Sequence, residues 1–134
     1  AINLKSYFFA CQEAARQMQQ AGHGSIINFS SISYIMGGAG YTAYTTANAG
    51  ITGMSRSLAR ELGPDKIRVN ALAPGWVDTE GTRAGGRIEA AIETIPLKRA
   101  ARVEEIADWV WQLSAKPSYV TGESLCIAGG VYMR

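Results

Sequence analysis

GSIINFSS at residues 24–31 is followed, after a glycine-rich loop, by YTTANAGI at residues 44–51. The first stretch is apolar without alternation, which is typical of a strand buried on both faces of a sheet. The second opens a run with apolar residues at three- and four-residue steps, which predicts an amphipathic helix at 44–62. Ser31 closes the strand and Tyr44 begins the helix, so this unit can bring two hydroxyl groups to one point.

The rest of the chain alternates in the same way. The pattern predicts helices at 1–21, 87–95 and 103–113, further strands at 67–73 and 124–127, and loops at 33–42 and 77–86. The element order αβαβααβ is that of a parallel sheet covered by helices on both faces. We therefore expect an α/β fold with three strands, fewer than a typical sheet contains.

Composition argues against several classes of protein. The 134 residues are 47% hydrophobic and 18% charged, which favours a globular chain with one core over a disordered one. A net charge of +2 is too small to indicate a nucleic-acid partner, and no stretch is apolar for long enough to predict a membrane span. Cys11 and Cys126 give neither a disulfide framework nor a metal-ligand spacing, so we expect free thiols, a cytoplasmic location and no metal site.

Five short motifs occur in an order and at spacings that resemble one known family. They are NLKS at 3–6, NFSS at 28–31, Tyr44, RVNALAPG at 68–75, and VTGE at 120–123 with the glycine pair at 129–130. Together they resemble the C-terminal half of the short-chain dehydrogenases/reductases, over essentially the whole chain. The resemblance implies a single partial domain at 1–134, the C-terminal portion of a doubly wound, Rossmann-like parallel sheet whose N-terminal half is absent from this sequence.

The resemblance further implies an NAD- or NADP-dependent oxidoreductase that interconverts a carbonyl and an alcohol. In the family, the residues that match Asn3, Ser31 and Tyr44 belong to a catalytic tetrad whose fourth member is a lysine four residues after the tyrosine. Here that position is Asn48. A lysine would lower the pKa of the tyrosine, which is about 10 in a free side chain, and an asparagine carries no charge to do so. We therefore expect the isolated chain to be weakly active or inactive.

More residues are expected around the same site. The resemblance implies that Tyr44, Asn48, Pro74, Gly75, Val77 and Thr79 contact the cofactor, and that Ser33 and Trp76 contact the substrate. The partners it implies are a small carbonyl or alcohol substrate and further copies of the chain, in a homodimer or a homotetramer, without nucleic acid or membrane.

Several features have a second interpretation. Asn48 could be a neutral helix residue left after loss of the lysine, and Trp76 could be a packing anchor. GAGYTA at 38–43 fits a dinucleotide-binding pattern, but the strand at 67–73 has no acidic residue of the kind that this pattern requires, so we favour a loop beside the substrate. For the whole chain, the alternative is a non-catalytic dimerisation or binding module.

Overall fold

Helices separate each strand from the next in the computed structural model, which describes residues 2–84, 86–116 and 118–133. The chain order is α1 (Ile2–Ala21), β1 (Gly24–Phe29), α2 (Ser33–Met36), α3 (Thr42–Leu62), β2 (Ile67–Pro74), α4 (Glu80–Arg83), α5 (Arg87–Ile92), α6 (Val103–Ala115) and β3 (Ser124–Ile127). A single 3₁₀ turn at Gly63–Asp65, with proline in its first positions, separates α3 from β2. The three strands form one parallel sheet in the order β1-β2-β3. The predicted α/β fold with a three-stranded parallel sheet and flanking helices is confirmed.

The central strand β2 is the most buried element of the sheet. Val69, Ala71, Leu72 and Ala73 have no exposed surface, which agrees with the unalternating apolar run that predicted a strand covered on both faces. The register places Asn28 of β1 opposite Ala71, so the three strands end at one edge of the sheet. Functional groups that follow these strands are thereby brought to that edge.

Helices α1 and α3 pack on one face of the sheet and form the main core with it. The core members are Cys11 and Ala15 of α1, Ala59 and Leu62 of α3, and Ile26, Ile67 and Val69 of the strands. Truncating a side chain as buried as Ile67 to alanine typically costs about 2–5 kcal/mol. Helix α6 contacts β1 from another side, where Ser25 Oγ donates a hydrogen bond to the Leu113 carbonyl at 3.0 Å.

The predicted loops were wrong at two places, because short helices lie within them. Residues 33–36 form α2, and residues 80–83 form α4 with a capping box between Thr79 and Thr82. Each helix is a single turn held by local hydroxyl and backbone hydrogen bonds, and one turn carries no apolar period for a sequence pattern to detect.

Some helix boundaries also differ from the prediction. Helix α3 begins at Thr42 instead of 44, and α5 ends at Ile92 instead of 95. Positions 1 and 85 of the predicted segments lie outside the described residues. Within the described ranges, no helix combines the length and the apolar character needed to cross a bilayer.

Candidate active site

Ser31 lies where β1 meets the end of β2. The residues on either side of it donate their backbone N–H groups to β2: Ser30 to the Leu72 carbonyl at 2.7 Å, and Ile32 to the Pro74 carbonyl at 3.2 Å. Ser31 is half-buried, and its Oγ accepts a hydrogen bond from the backbone N–H of Ser33 at 3.2 Å. The serine is therefore fixed at the carboxyl edge of the sheet, where open parallel sheets bind their ligands.

Tyr44 is in the first turn of α3, with 44% of its surface exposed. The helix is attached to β1 one turn further on, because Ser30 Oγ donates a hydrogen bond to the Asn48 carbonyl at 3.0 Å. Positions 44 and 48 share a helix face. The tyrosine thus belongs to the part of α3 that is anchored beside Ser31, and the ring of Tyr41 meets its ring edge-on at 6.3 Å between centroids.

The side chain of Asn48 is turned back into its own helix. It is 5% exposed, and its Nδ2 donates a hydrogen bond to the Tyr44 carbonyl at 2.9 Å. Asparagine commonly makes such local bonds to backbone groups of its own segment. The position therefore supplies a neutral amide that is already hydrogen-bonded, where the family pattern has a cation.

The turn after β2 is closely packed. Gly75 donates its N–H to the Ile127 carbonyl at 2.9 Å. A Cβ atom at Gly75 would lie 3.0 Å from Ala128 Cα and 3.4 Å from Ile32 Cδ1. Pro74 and Gly75 therefore lie beside both the Ser31 segment and the end of β3, and the turn presents backbone rather than a side chain.

Hydrogen bonds and an ion pair within residues 76–83 hold this segment together. Thr79 Oγ1 accepts the Thr82 N–H at 3.3 Å, while Thr82 Oγ1 donates to the Val77 carbonyl at 2.6 Å. Asp78 pairs with Arg83, and this ion pair holds the pKa of the Asp78 carboxyl below its usual value. The Thr79 hydroxyl and the Val77 carbonyl are thus both engaged within this segment.

Trp76 is the first residue of the same segment. It lines a cavity of about 150 Å³ together with Ile95, Leu97, Trp109 and Ile127 among others. These surroundings are mainly apolar, and the Trp76 carbonyl accepts the Ala101 N–H at 2.9 Å. A tryptophan in these surroundings serves as a packing anchor or as one wall of a binding cavity, the two interpretations of this residue.

Asn3 is exposed near the start of α1, where its carbonyl accepts a hydrogen bond from Ser6 Oγ at 3.1 Å. The next residue, Leu4, packs on α3: a Cβ atom at Gly50 would lie 2.7 Å from Leu4 Cδ2. Asn3 is therefore held beside the turn of α3 that contains Asn48, without a described contact to Ser31 or Tyr44.

Sequence reasoning missed Tyr7, one turn after Asn3. Burial raises the pKa of the Tyr7 hydroxyl, a hydrogen bond from the Phe29 backbone opposes this rise, and the nearby Cys11 and Tyr44 add smaller increases. A second phenol thus lies within electrostatic range of Tyr44. Tyr7 lies four residues after Asn3, so both residues are on one face of α1. This spacing is the feature of the sequence that could have indicated Tyr7.

The structure therefore brings together Ser31, Pro74 and Gly75 at the carboxyl edge of the sheet, with Tyr44 and Asn48 on the helix anchored there. Trp76 and Thr79 are engaged in contacts of their own. GAGYTA at 38–43 forms the connection from α2 into α3, with Gly40 at φ +81°. Among the described residues, no cluster of His, Cys, Asp or Glu could hold a metal ion.

Comparison with known proteins gives the family. A family model described as enoyl-(acyl carrier protein) reductase matches residues 1–132. The chain is 43% identical over 134 residues to the 3-oxoacyl-(acyl-carrier-protein) reductase FabG of Pseudomonas aeruginosa, covering 98% of this chain and 54% of that protein. It is 39% identical over 137 residues to a probable galactose dehydrogenase, GalD, of Rhizobium meliloti, with the same two coverages.

A mammalian relative gives a similar result. The (3R)-3-hydroxyacyl-CoA dehydrogenase of Canis lupus familiaris is 39% identical over 137 residues, covering 99% of this chain and 53% of that protein. The chain thus spans about half the length of the curated relatives it matches. The match to the family model includes every described helix and strand, from α1 to β3. This chain belongs to the short-chain dehydrogenase/reductase family.

Proposed function

We propose that this chain carries the catalytic residues of an oxidoreductase that interconverts a carbonyl and an alcohol with NAD or NADP. One observation carries the proposal: Ser31 is fixed beside the end of β2, and the helix that bears Tyr44 is hydrogen-bonded to the residue just before that serine. The names of the relatives support a carbonyl or alcohol substrate, since they include a 3-oxoacyl reductase and a probable galactose dehydrogenase.

In this proposal Ser31 and Tyr44 act on the same oxygen atom. Ser31 Oγ donates a hydrogen bond to the substrate carbonyl and orients it. Tyr44 donates its phenolic proton to that oxygen as the carbonyl is reduced, and takes it back in the reverse reaction. The nicotinamide cofactor, when bound, supplies or accepts the hydride at the carbonyl carbon.

The residues present fit the nicotinamide end of such a cofactor. At Gly75 the turn carries no side chain and packs against Ala128, so it would meet the nicotinamide with backbone only. Tyr44, Asn48, Val77 and Thr79 would complete the contacts. Thr79 and Val77 would have to exchange hydrogen bonds within residues 77–82 to do so.

Asn48 is the reason to expect low activity. A cation at position 48 would stabilise the tyrosinate that forms when the proton is transferred, and a neutral amide does not. Each 1.4 kcal/mol of lost stabilisation slows such a step about tenfold, so the rate should fall by orders of magnitude. Asn3 and Tyr7, on the neighbouring face of α1, would then be positioning residues beside the site.

A second candidate function is a non-catalytic binding or dimerisation module. It is favoured by the hydrogen bond that turns the Asn48 amide away to the Tyr44 carbonyl. Exposed aromatic side chains on α1, Phe8 at 51% and Phe9 at 52%, support assembly into a homodimer or a homotetramer. The free thiols Cys11 and Cys126 support a reducing compartment such as the cytoplasm.

The test compares the chain with its Asn48→Lys and Tyr44→Phe variants, each alone and in place of the matching segment of the Pseudomonas aeruginosa FabG. Oxidation of NADH and NADPH is followed against a panel of carbonyl compounds. We expect the lysine form to be the most active and the phenylalanine form to be inactive. Equal activity of the asparagine and lysine forms would contradict the charge argument. Activity that survives Tyr44→Phe would remove the tyrosine from the mechanism, and inactivity of every form would favour the binding module.

A further inference from the structure

A cavity of about 620 Å³ lies outside the candidate active site, between α5 and the segment that leads into α6. Its volume falls within the range of about 300–1,000 Å³ that is typical of small-molecule sites. The residues that line it come from Asp78, α4 and α5 on one side and from positions 99–102 on the other, and neither Ser31 nor Tyr44 is among them. A ligand bound here would therefore be separate from the substrate and cofactor of the proposed function.

Aliphatic side chains form one wall of this cavity. Ile88 and Ile92 are four residues apart, so they lie on the same face of α5. Ala100, from the segment before α6, adds a methyl group to the lining. Ile88 and Ala100 are 5% and 9% exposed, and Ile92 is half-buried. An aliphatic group that packs on this wall is removed from water, and the gain in binding rises with the apolar area that is buried.

The rest of the lining is charged, and it consists of Asp78, Arg83, Glu89, Arg99 and Arg102. Asp78 and Arg83 neutralise each other, because Arg83 Nε donates to Asp78 Oδ1 at 2.6 Å and Arg83 Nη2 donates to Oδ2 at 2.9 Å. The guanidinium of Arg99 pairs in the same bidentate way with Glu105, through two hydrogen bonds of 2.7 Å. Two of the three arginines are therefore already matched by a carboxylate of the protein.

Arg102 is the arginine of this cavity whose guanidinium has no bidentate partner within the described ranges. Its backbone N–H donates to Glu105 Oε2 at 2.8 Å, but its side-chain Nε lies 3.7 Å from that oxygen, which is too far for a hydrogen bond. The Arg102 side chain is 73% exposed. Its guanidinium therefore offers a planar fork of N–H donors, which matches the geometry of a carboxylate.

Glu89 restricts the charge of a ligand that could bind here. Its carboxylate lines the same cavity and would repel a second negative charge, so a ligand with one negative charge is favoured over a phosphate ester. We propose that this cavity binds an aliphatic carboxylate, whose head group pairs with Arg102 and whose chain packs on Ile88 and Ile92. This site goes beyond the proposed oxidoreductase function and does not depend on it.

The test adds three probes to the unmodified chain and measures dissociation constants by amide chemical-shift titration. Octanoate has the carboxylate and the chain, acetate has the carboxylate alone, and octylammonium has a chain of the same length with the opposite charge. We expect octanoate to cause saturable shifts in α5 and at positions 99–102. Acetate should bind roughly tenfold more weakly or worse, because it lacks the chain. Octylammonium should also bind more weakly than octanoate, because Arg102 repels it.

Two variants test the charged and the aliphatic part of the site separately. Arg102→Gln removes the charge and keeps the backbone hydrogen bond to Glu105, and Ile92→Ala shortens the aliphatic wall with a residue that favours helix. We expect octanoate to bind roughly three- to fivefold more weakly to Arg102→Gln and roughly threefold more weakly to Ile92→Ala. The matched control, Arg60→Gln, removes an exposed arginine of α3 that does not line the cavity, and it should bind octanoate like the unmodified chain.

Several results would overturn this proposal. They are shifts from octanoate only at other surfaces, binding of acetate or octylammonium as tight as that of octanoate, and octanoate binding that neither Arg102→Gln nor Ile92→Ala weakens. Equal weakening in Arg60→Gln and Arg102→Gln would also overturn it, because the net charge of the chain would then explain the effect. Binding of octanoate as expected supports the site whether or not any form of the chain reduces carbonyls.

Discussion

The absence of a side chain at Gly75 allows the ends of β2 and β3 to approach closely. A Cβ atom there would meet the backbone of Ala128 at 3.0 Å, and backbone does not move aside as the tip of a flexible side chain can. The contrast is Gly53 in the middle of α3, where an added Cβ meets nothing within 4 Å. A side chain is therefore excluded at Gly75 and can be accommodated at Gly53.

We expect Gly75→Ala to destabilise the chain by about 1–3 kcal/mol, because overpacking forces the backbone apart. Gly53→Ala should stabilise it by about 0.5–1 kcal/mol, because alanine loses less conformational freedom in a helix than glycine does. Urea unfolding monitored by circular dichroism measures both. Equal effects of the two substitutions would mean that Ala128 does not lie against Gly75 in solution.

The residues of the candidate site were predictable to different degrees. Their spacing was enough to place Ser31 at a strand end and Tyr44 and Asn48 one turn apart on a helix, because strand and helix periods are local properties. The hydrogen bond from Ser30 to the Asn48 carbonyl and the partial burial of Tyr7 depend on contacts between elements, and local spacing carries no information about those.

At the scale of elements, α6 begins with a concentrated charge cluster. The Glu105 carboxylate accepts two hydrogen bonds from the Arg99 guanidinium at 2.7 Å each and one from the Arg102 backbone N–H at 2.8 Å. The Arg99 hydrogen bonds are the main reason that the pKa of Glu105 falls from its usual 4.5 to about 2, and the Arg102 backbone adds to the effect. The carboxylate thus links the segment before α6 to the first turn of that helix.

This cluster gives a pH-dependent contribution to stability. Since the folded-state pKa of Glu105 lies below its unfolded value, the contribution is fully present above about pH 4.5 and is lost as the pH falls toward 2. We expect Glu105→Gln to be less stable than the unmodified chain at pH 7 and to show a smaller loss between pH 5 and pH 2. Thermal unfolding across this range measures the difference, with the exposed Glu104→Gln as control. Parallel curves for both variants would contradict the assignment.

The long elements were predictable and the short ones were not. Helix α3 buries Ile51, Ala59 and Leu62 at helical spacing, and this period is visible in the sequence. Helices α2 and α4 are single turns that depend on the Ser31 and Thr79 hydroxyls. Serine and threonine cap helices and also form turns, so their presence alone does not distinguish the two.

For the whole molecule, the position of β1 at an edge of the described sheet has a consequence for assembly. Gly24 and Ser30 direct their backbone N–H groups to β2. The alternation of a parallel ladder therefore directs the backbone groups of Ser25 and Ile27 the other way. A groove of about 360 Å³ without charged residues runs along this edge, between β1 and α1. Such an uncharged edge is a template for pairing with another strand.

We expect the isolated chain to self-associate through this edge. Ile27→Pro removes an outward N–H without breaking a hydrogen bond to β2, so it should reduce association while retaining the fold. The matched control, Ile27→Ala, shortens the side chain and keeps the N–H group. Sedimentation velocity over a concentration series compares the two. If both variants associate like the unmodified chain, assembly uses another surface, such as the exposed aromatic residues of α1.

Side-chain hydrogen bonds from the β1 segment fix the rotation of α3 about its own axis. A helix that met the sheet through apolar contacts alone could turn by several degrees at little cost, whereas directional hydrogen bonds from Asn28 and Ser30 allow one angular setting. Tyr44 belongs to the same helix, so the direction of its phenol group depends on the rotation of α3. Ser55 is eleven residues, or about 16 Å, further along the helix, and its contact with Asn28 thereby helps to determine where the phenol points.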